Sequence, residues 1–212
     1  MVNQPHTDGR KARGQENRRL IVEALMQLTH EGVISPTAEM VSERAGVGLR
    51  TVFRHFEDME TLYREVSLQA QLVAAPVLAK PVQGDTVQDK LKHAIERRTG
   101  VFEQLMPVFV SNRAHQHESP FLREQHATTV ALQRMLLEQF LPKEMVRDET
   151  LFEALDLALS VETWMRLRRD QNLSVTKAKA VMLRTVLALV GSVGQKESGS
   201  TRPKRRSSSS KP

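Results

Sequence analysis

The segment 37–56, TAEMVSERAGVGLRTVFRHF, constrains the fold more than any other part of the chain. Two short amphipathic helical patterns flank the turn Gly46-Val47-Gly48. Gly46 suits the left-handed conformation that closes a helix, and Gly48 stands where the cap of the next helix is expected. Five apolar residues are spaced so that they can share one buried cluster: Val41, Ala45, Val47, Val52 and Phe56. The pattern therefore predicts two helices that meet at a tight corner.

The second helix of this corner has a polar face without an acidic residue. Its predicted outward residues are Arg50, Thr51, Arg54 and His55. Arginine is the commonest reader of guanine edges in the major groove, whereas threonine and histidine suit phosphate oxygens. Corner and face together indicate a helix-turn-helix, in which one helix braces a second that enters the groove. A plain solvated helical hairpin is the alternative.

These residues resemble the TetR family of one-component regulators. The residues that match its pattern are Thr37, Ala45, Gly46, Val47, Thr51, Val52, His55, Phe56, Glu60 and Leu62. The resemblance spans Arg18 to Val66 and implies a dimeric DNA-binding repressor that a small-molecule effector releases from a pseudo-palindromic operator. Three positions depart from the pattern, with Gly48 for serine, Phe53 for tyrosine and Met59 for lysine. We therefore expect fewer phosphate contacts from the motif itself.

The corner and the N-terminus supply the DNA-binding candidates. We expect Arg50 and Arg54 to read bases, with Leu49 against a thymine methyl group. The other candidates at the corner, most of them expected near phosphates, are Thr37, Gly48, Thr51, Phe53 and His55. Arg10, Lys11 and Arg13 precede the first helix and could enter the minor groove as a homeodomain arm does.

The formal charge of +6 is concentrated at the two ends of the chain. Residues 1–20 carry +3, residues 196–212 carry +5, and the body between them carries −2. Basic ends beside a reading helix favour a nucleic-acid partner, although a C-terminal tail of this kind can serve solubility alone. The sequence has no cysteine, no long apolar run and no signal-peptide core at its start. We therefore expect a cytoplasmic protein without disulfides or a thiolate metal site.

The rest of the chain shows helical periodicity and no convincing strand alternation. We predict an all-α fold in which an N-terminal three-helix helix-turn-helix head is joined by helix four to a C-terminal helical bundle for ligand binding and dimerisation. The predicted division is a flexible basic arm (1–14), the head (15–58), the bundle (59–192) and a disordered basic tail (193–212).

Caps, prolines and glycines predict the helix boundaries. Helix one is expected at 15–30, helix seven at 119–141, helix eight at 147–170 and helix nine at 174–190. Four helices have predicted caps: Thr37 for helix two, Asp58 for helix four, Asp85 with Gln88 for helix five, and Ser174 for helix nine. The predicted breaks are Pro76 and Pro81 after helix four and Gly191 with Gly194 after helix nine. Pro107 is expected in the first turn of a short helix six that reaches His115.

Helices eight and nine are apolar on more than one side. On helix eight, one apolar stripe consists of Phe152, Leu155 and Leu159. A second stripe, rotated around the helix axis, consists of Leu157, Val161 and Trp164. A helix that is apolar on both sides must be covered on both sides. We expect a second subunit to supply the outer cover, so that helices eight and nine of two chains form a four-helix interface. A central position in a monomer is the alternative.

Apolar pockets with a few polar groups commonly lie between bundle helices. The candidate lining residues for an effector are Arg98, Phe102, Met106, Phe109, Arg113, Phe121, His126 and Trp164. A cation that faces the bundle, at Arg98 or Arg113, would favour an anionic effector. The alternatives are that the apolar residues are core and that both arginines reach the surface.

Enzyme motifs are absent from the sequence, which has no phosphate-cradling glycine loop, no His-Glu-x-x-His and no Gly-x-Ser-x-Gly elbow. His115 and His117 are two residues apart and do not share a helix face, so we predict neither a metal site nor a cofactor. Two other classes of protein stay open. The basic ends suit a ligand-free architectural DNA-binding protein, and an all-helical enzyme with a vestigial helix-turn-helix would need a catalytic constellation.

Overall fold

The computed structural model describes residues 6–198, with side chains described over 9–191. This part of the chain is helical and contains no strand, which confirms the predicted all-α class. The helices are α1 His6–His30, α2 Ala38–Ala45, α3 Leu49–His55, α4 Met59–Leu78, α5 Val87–His115, α6 Pro120–Glu138, α7 Lys143–Arg147, α8 Glu149–Ala158, α9 Val161–Met165 with a π-helical turn over Arg166–Asp170, and α10 Val175–Ser198. Within this range no helix has the length and apolar character needed to cross a membrane.

The described chain forms two compact units. The first unit takes in the residues up to Pro81 together with Arg97–Met135, so it holds α1 to α4 and most of α5 and α6. The second takes in Val82–Glu96 and the chain from Leu136 onward, so it holds α7 to α10 and the start of α5. The division into a reading head (15–58) and a bundle (59–192) concerns function and stays a prediction.

One apolar core runs through the first unit from the α2–α3 corner to α5. Its buried residues are Ile21, Val22, Ala24, Leu25, Leu28, Val41, Val52, Phe56, Leu62, Tyr63, Val66, Ala70, Val101, Leu105 and Val108. The predicted cluster at the corner is confirmed, since Val41, Val52 and Phe56 belong to this core and Ala45 and Val47 pack against it. Since α4 and α5 complete the core, the helix-turn-helix shares its interior with them.

The second unit is centred on the fully buried side chain of Trp164. Here α10 buries one stripe at a spacing of four residues: Ala178, Met182, Val186 and Val190. The other side of these helices stays open, with Leu157 of α8 67% exposed and Val181 of α10 38% exposed. α8 and α10 pack together, and each leaves one large apolar side chain exposed to water.

The first helix begins earlier than predicted. It starts at His6 instead of Gln15, although Gly9 and Gly14 each weaken a helix by about 1 kcal/mol relative to alanine. Extending an existing helix avoids the cost of nucleation, and the neighbouring residues are good helix formers. Arg13 Nε also donates to the Gly9 carbonyl at 3.2 Å. The predicted arm is therefore helical from residue 6, and residues 1–5 lie outside the described part.

Two prolines that were predicted at helix boundaries lie inside helices. Pro76 lies in the last turn of α4, and Pro107 lies inside α5, which runs through the range predicted as a separate helix six. A proline removes one backbone hydrogen bond. On either side of Pro107, the buried Leu105 and Val108 hold both halves of α5 against the core of the first unit.

The predicted helix 147–170 is broken. α8 ends at Ala158, and Ser160 caps α9 by accepting a hydrogen bond from Thr163 N at 3.1 Å. The break falls after Leu159, the last residue of the first predicted stripe, and before Trp164, the last residue of the second; both side chains are fully buried. A serine inside an apolar stretch can cap a new helix, and the helical periodicity hid this signal.

The predicted cap at Ser174 is confirmed, because its hydroxyl accepts a hydrogen bond from Lys177 N. The start of α5 and the end of α10 differ from the prediction. The capping pair of α5 is Thr86 with Asp89, one residue later than the predicted pair of Asp85 with Gln88. α10 continues through Gly191 to Ser198, so the start of the predicted disordered tail is helical. Residues 199–212 lie outside the described part.

Candidate nucleic-acid interface

Local hydrogen bonds fix the α2–α3 corner. Thr37 caps α2, and its Oγ1 accepts from Met40 N at 3.3 Å. Gly46 ends α2 in the left-handed conformation, at φ 66°, and the following N–H of Val47 donates to Ser42 O at 3.1 Å. Gly48 is the N-terminal cap of α3. The caps predicted at Thr37, Gly46 and Gly48 are confirmed, and they set the direction in which α3 leaves the corner.

The outward face of α3 is cationic. Arg50 and Arg54 are exposed, and α3 contains no acidic residue. Leu49 and Phe53, each one position before an arginine, are also exposed, Phe53 to 47%, while Thr51 is half-buried. Guanidinium groups beside apolar side chains match the edge of a guanine and the methyl group of a thymine. The face therefore has the chemistry of a major-groove reader.

His55 differs from the prediction, which placed it outward with its neighbours. It is half-buried, and its Nε2 is buried without a hydrogen-bond partner among the described residues. The ring lies towards α1, where a Cβ at Gly14 would be 3.9 Å from its Cε1. Desolvation lowers the pKa of His55 below the ordinary 6.5, and the charges of Arg54 and Arg18 lower it further. The His55 ring therefore lies between α3 and α1 and is mostly uncharged at pH 7.

Arg18 connects three helices at this point. Its Nη1 donates to the His55 carbonyl at 3.1 Å, and its Nη2 donates to Glu65 of α4 at 2.6 Å. The guanidinium carbon also lies 4.4 Å from the centroid of the Phe56 ring. The sequence does not reveal this role, because the basic N-terminal segment contains several arginines and only the fold shows which of them meets the end of α3.

Polar contacts hold the first half of α4 against α5 and the start of α6. The Tyr63 hydroxyl donates to Pro36 O at 3.4 Å and lies 3.2 Å from His115 Nε2; burial raises the pKa of Tyr63 to about 12. Asn112 of α5 and Ser119 before α6 also donate to side chains of α4, at 3.0 and 2.9 Å. These contacts join the segment before α2 to the C-terminal end of α5.

The N-terminal basic candidates also lie on a helix. Arg10, Lys11 and Arg13 are exposed on the first turns of α1. An arm of the homeodomain kind enters the minor groove as an extended chain. The described backbone at these residues is helical, so they are placed differently from the predicted arm.

The two arginines among the effector candidates have opposite environments. Arg98 is 1% exposed, and its Nη2 donates to Gln133 O at 2.7 Å. The alternative that both arginines reach the surface is therefore wrong for Arg98. Arg113 is exposed and donates to Gln116, so it lies at the surface.

The other effector candidates are partly or fully buried. Phe102 and Phe109 meet edge to face, with ring centroids 6.2 Å apart. Met106 of α5 and His126 of α6 are half-buried. Phe121 packs under the guanidinium of Arg64 at 4.0 Å, a contact that sequence analysis missed. The buried Trp164 belongs to the second unit.

The histidines considered for a metal have other roles. His115 Nδ1 lies 2.8 Å from Ser111 O, and its other nitrogen faces Tyr63. His117 lies 3.2 Å from its neighbour Glu118. Over the described part of the chain, no three histidine or carboxylate side chains converge as metal ligands.

Three solved structures are similar to this chain over most of its length. A transcriptional regulator from Streptomyces coelicolor A3(2) has a TM-score of 0.57 at 19% identity, with 82% of this chain and 98% of that chain covered. A TetR-family regulator from Rhodococcus sp. has a TM-score of 0.54 at 17% identity, covering 82% and 98%. A TetR-family regulator from Marinobacter aquaeolei VT8 has a TM-score of 0.51 at 14% identity, covering 84% and 97%.

The chain therefore has the all-α fold of the TetR-family regulators, as the resemblance in 37–56 predicted. No protein-family model and no curated protein matches it.

Proposed function

We propose that this protein is a sequence-specific DNA-binding transcription regulator. The observation that carries the proposal is the exposed, acid-free face of α3, held by capped termini at the α2–α3 corner. A fold shared with known transcriptional regulators supports it. We propose no catalytic activity, and an operator-binding role places the protein in the cytoplasm.

Arg50 and Arg54 are the proposed base readers. Each is exposed on α3, and an arginine can bond O6 and N7 of a guanine together. Leu49 lies on the same helix and suits a thymine methyl group. The residues proposed near phosphates are Thr37, Gly48, Thr51, Phe53 and His55. Of these, His55 is half-buried with its Nε2 turned inward, so its main contribution is to brace the end of α3.

The proposed regulator is a homodimer through α8 and α10, which lie in the segments predicted as helices eight (147–170) and nine (174–190). The exposed Leu157 and Val181 lie on these helices, and pairing them with a second copy would remove apolar surface from water. A symmetric pair presents two α3 helices to two half-sites, which predicts a pseudo-palindromic operator. The base contacts proposed for α3 and the symmetry proposed for α8 and α10 are thus tested by the same DNA.

Repression relieved by an effector is the finer part of the proposal. α4 contributes to the core of the first unit next to the corner and bonds to α5 and to Ser119 just before α6, so displacement of α4 would move the reading helix. An effector can shift the protein only by its different affinity for the two arrangements. An effector that reached the buried guanidinium of Arg98 beside its existing partners would bind best through a carboxylate or phosphate.

Selection of bound sequences from a random duplex pool tests the proposal. We expect enrichment of an inverted repeat, and affinity for it well above affinity for scrambled DNA at the same salt. A variant with both Arg50→Ala and Arg54→Ala serves as the control, because both side chains are exposed and their loss should leave the fold intact. A specific to non-specific affinity ratio near one would instead support an architectural DNA-binding protein.

A further inference from the structure

The first turns of α1 extend past the end of α3. Arg10, Gly14 and Arg18 are four residues apart, so they share one face of the helix. Two of them meet the end of α3, because a Cβ at Gly14 would lie 3.9 Å from the His55 ring and Arg18 donates to the His55 carbonyl at 3.1 Å. The same face, one turn further out, carries Arg10.

The extension carries three cations that are unpaired among residues 9–191, whose side chains the structure describes. Arg10, Lys11 and Arg13 are exposed, and none forms an ion pair with a described side chain. The nearest acid after them, Glu16, bonds to Arg19 instead, and Arg18 is paired with Glu65. Lys11 is three residues before Gly14 and so lies on the side that faces the end of α3. Positive charge is therefore concentrated beside that end.

We propose that residues 9–15 contact the phosphate backbone beside the C-terminal end of α3, and that they do so as a helix; this inference rests on the proposed function. An α-helix with side chains is about 10–12 Å wide, whereas the minor groove is about 6 Å wide. A helical extension therefore lies on phosphates and does not thread the groove. Its contacts add affinity and salt dependence without sequence preference.

This role suits what the corner lacks. The resemblance leads us to expect a tyrosine at Phe53 and a lysine at Met59. Without that phenolic donor and that cation, α3 and the start of α4 offer fewer phosphate contacts than the TetR pattern implies. Cations on α1 lie next to the same end of α3 and replace that attraction. The helix also holds them in place, because less side-chain and backbone freedom is lost on binding than with an extended arm.

A charge-removing variant tests the contact. It carries Arg10→Gln, Lys11→Gln and Arg13→Gln. With the selected operator, we expect the slope of log K against log salt to become shallower by up to about three, at about 0.9 for each lost phosphate contact. The matched control removes three exposed lysines of the second unit by Lys92→Gln, Lys143→Gln and Lys177→Gln, and its slope should equal that of the wild type. Equal slopes for both variants would overturn the contact.

Two further variants keep all three charges and test the helix. Ala12→Pro breaks it between the cations, and we expect most of the affinity loss of the charge-removing variant. The pair Gly9→Ala and Gly14→Ala strengthens it, since a Cβ meets no atom within 4 Å at Gly9 and only an ordinary contact at Gly14. This pair should bind as tightly as the wild type or up to about fivefold tighter.

An extended arm predicts the opposite order for these two variants. Weaker binding by the alanine pair, or wild-type binding by Ala12→Pro, would overturn the helical mode. Thermal melting of each variant shows that the rest of the fold is intact. If the wild type itself prefers no duplex sequence and Arg50→Ala changes nothing, the proposed function fails, which is a result distinct from failure of the extension alone.

Discussion

The outward face of α3 and the outward faces of α8 and α10 are both open to water, yet their chemistry differs. α3 exposes Arg50 and Arg54 around apolar side chains, whereas the second unit exposes Leu157 and Val181. Guanidinium groups suit a partner with phosphates and base edges. Uncharged apolar surface suits another protein surface, where its burial is favourable. One molecule thus has two surfaces that call for different partners.

The strongest test of this comparison places a charge on the apolar surface. We expect Leu157→Glu to weaken a dimer by roughly a hundredfold, or about 3 kcal/mol, because an unpaired carboxylate buried in the interface would lose its hydration. Sedimentation equilibrium measures the change. Leu72→Glu is the matched control, since Leu72 of α4 is 74% exposed but belongs to the first unit. A dimer that tolerates Leu157→Glu, or a monomeric wild type, would contradict the assignment.

Removal of one reading side chain tests the other surface. Arg50→Ala should cost about 1–3 kcal/mol of operator binding and relax specificity at one base position. Titration against operators that each carry one changed base pair measures both effects. As the control, Arg44→Ala removes an arginine that is paired with Glu31 at 2.7 Å, and it should leave specificity unchanged. Equal loss on every sequence would instead make Arg50 a backbone contact.

The corner that holds α3 can be tested through its two glycines. Gly46→Ala should lower the free energy of unfolding by about 1–2 kcal/mol, because alanine is strained at φ 66°. Gly48→Ser is the control, since Gly48 has a φ of −68° and open space around it, and serine is also a good N-terminal cap. Urea denaturation followed by circular dichroism compares the two. Similar losses at both positions would mean that the left-handed turn is not what fixes the corner.

The smallest expected effect concerns pH. The pKa of His55 is lower in the folded protein than the ordinary 6.5, so below about pH 6.5 the unfolded chain binds more protons and stability falls. His55→Gln should therefore make the free energy of unfolding less dependent on pH between 7 and 5. Denaturation curves at several pH values measure this slope. An identical slope in the variant would show that the buried ring contributes no such coupling.

The corner could be predicted because its signals are local. The cap at Thr37, the left-handed Gly46 and the cap at Asp58, which accepts from Thr61 N at 2.7 Å, each depend on residues within one turn. Their physical basis is the small number of groups that can satisfy the free N–H and C=O groups at helix ends. The all-α class followed in the same way from the spacing of apolar residues.

The remaining features depend on residues far apart in the chain. α5 continues through Pro107 because core packing outweighs one lost hydrogen bond, and the sequence around a proline does not record that packing. Arg18 meets His55 and Glu65, and Arg98 meets Gln133, only after folding. The break before Ser160 was hidden because apolar side chains on both sides of it satisfy a helical pattern. Distance along the chain thus separates the features that were predicted from those that were not.

The core of the first unit also limits what can be transplanted. Val101, Leu105 and Val108 of α5 close it from below the corner. A chimera that received only residues 15–58 would expose the apolar residues that α4 and α5 normally cover. It should aggregate unless the recipient supplied helices that cover them. Exchange of DNA preference between chains of this fold is therefore better attempted by changing the outward residues of α3 than by moving the head.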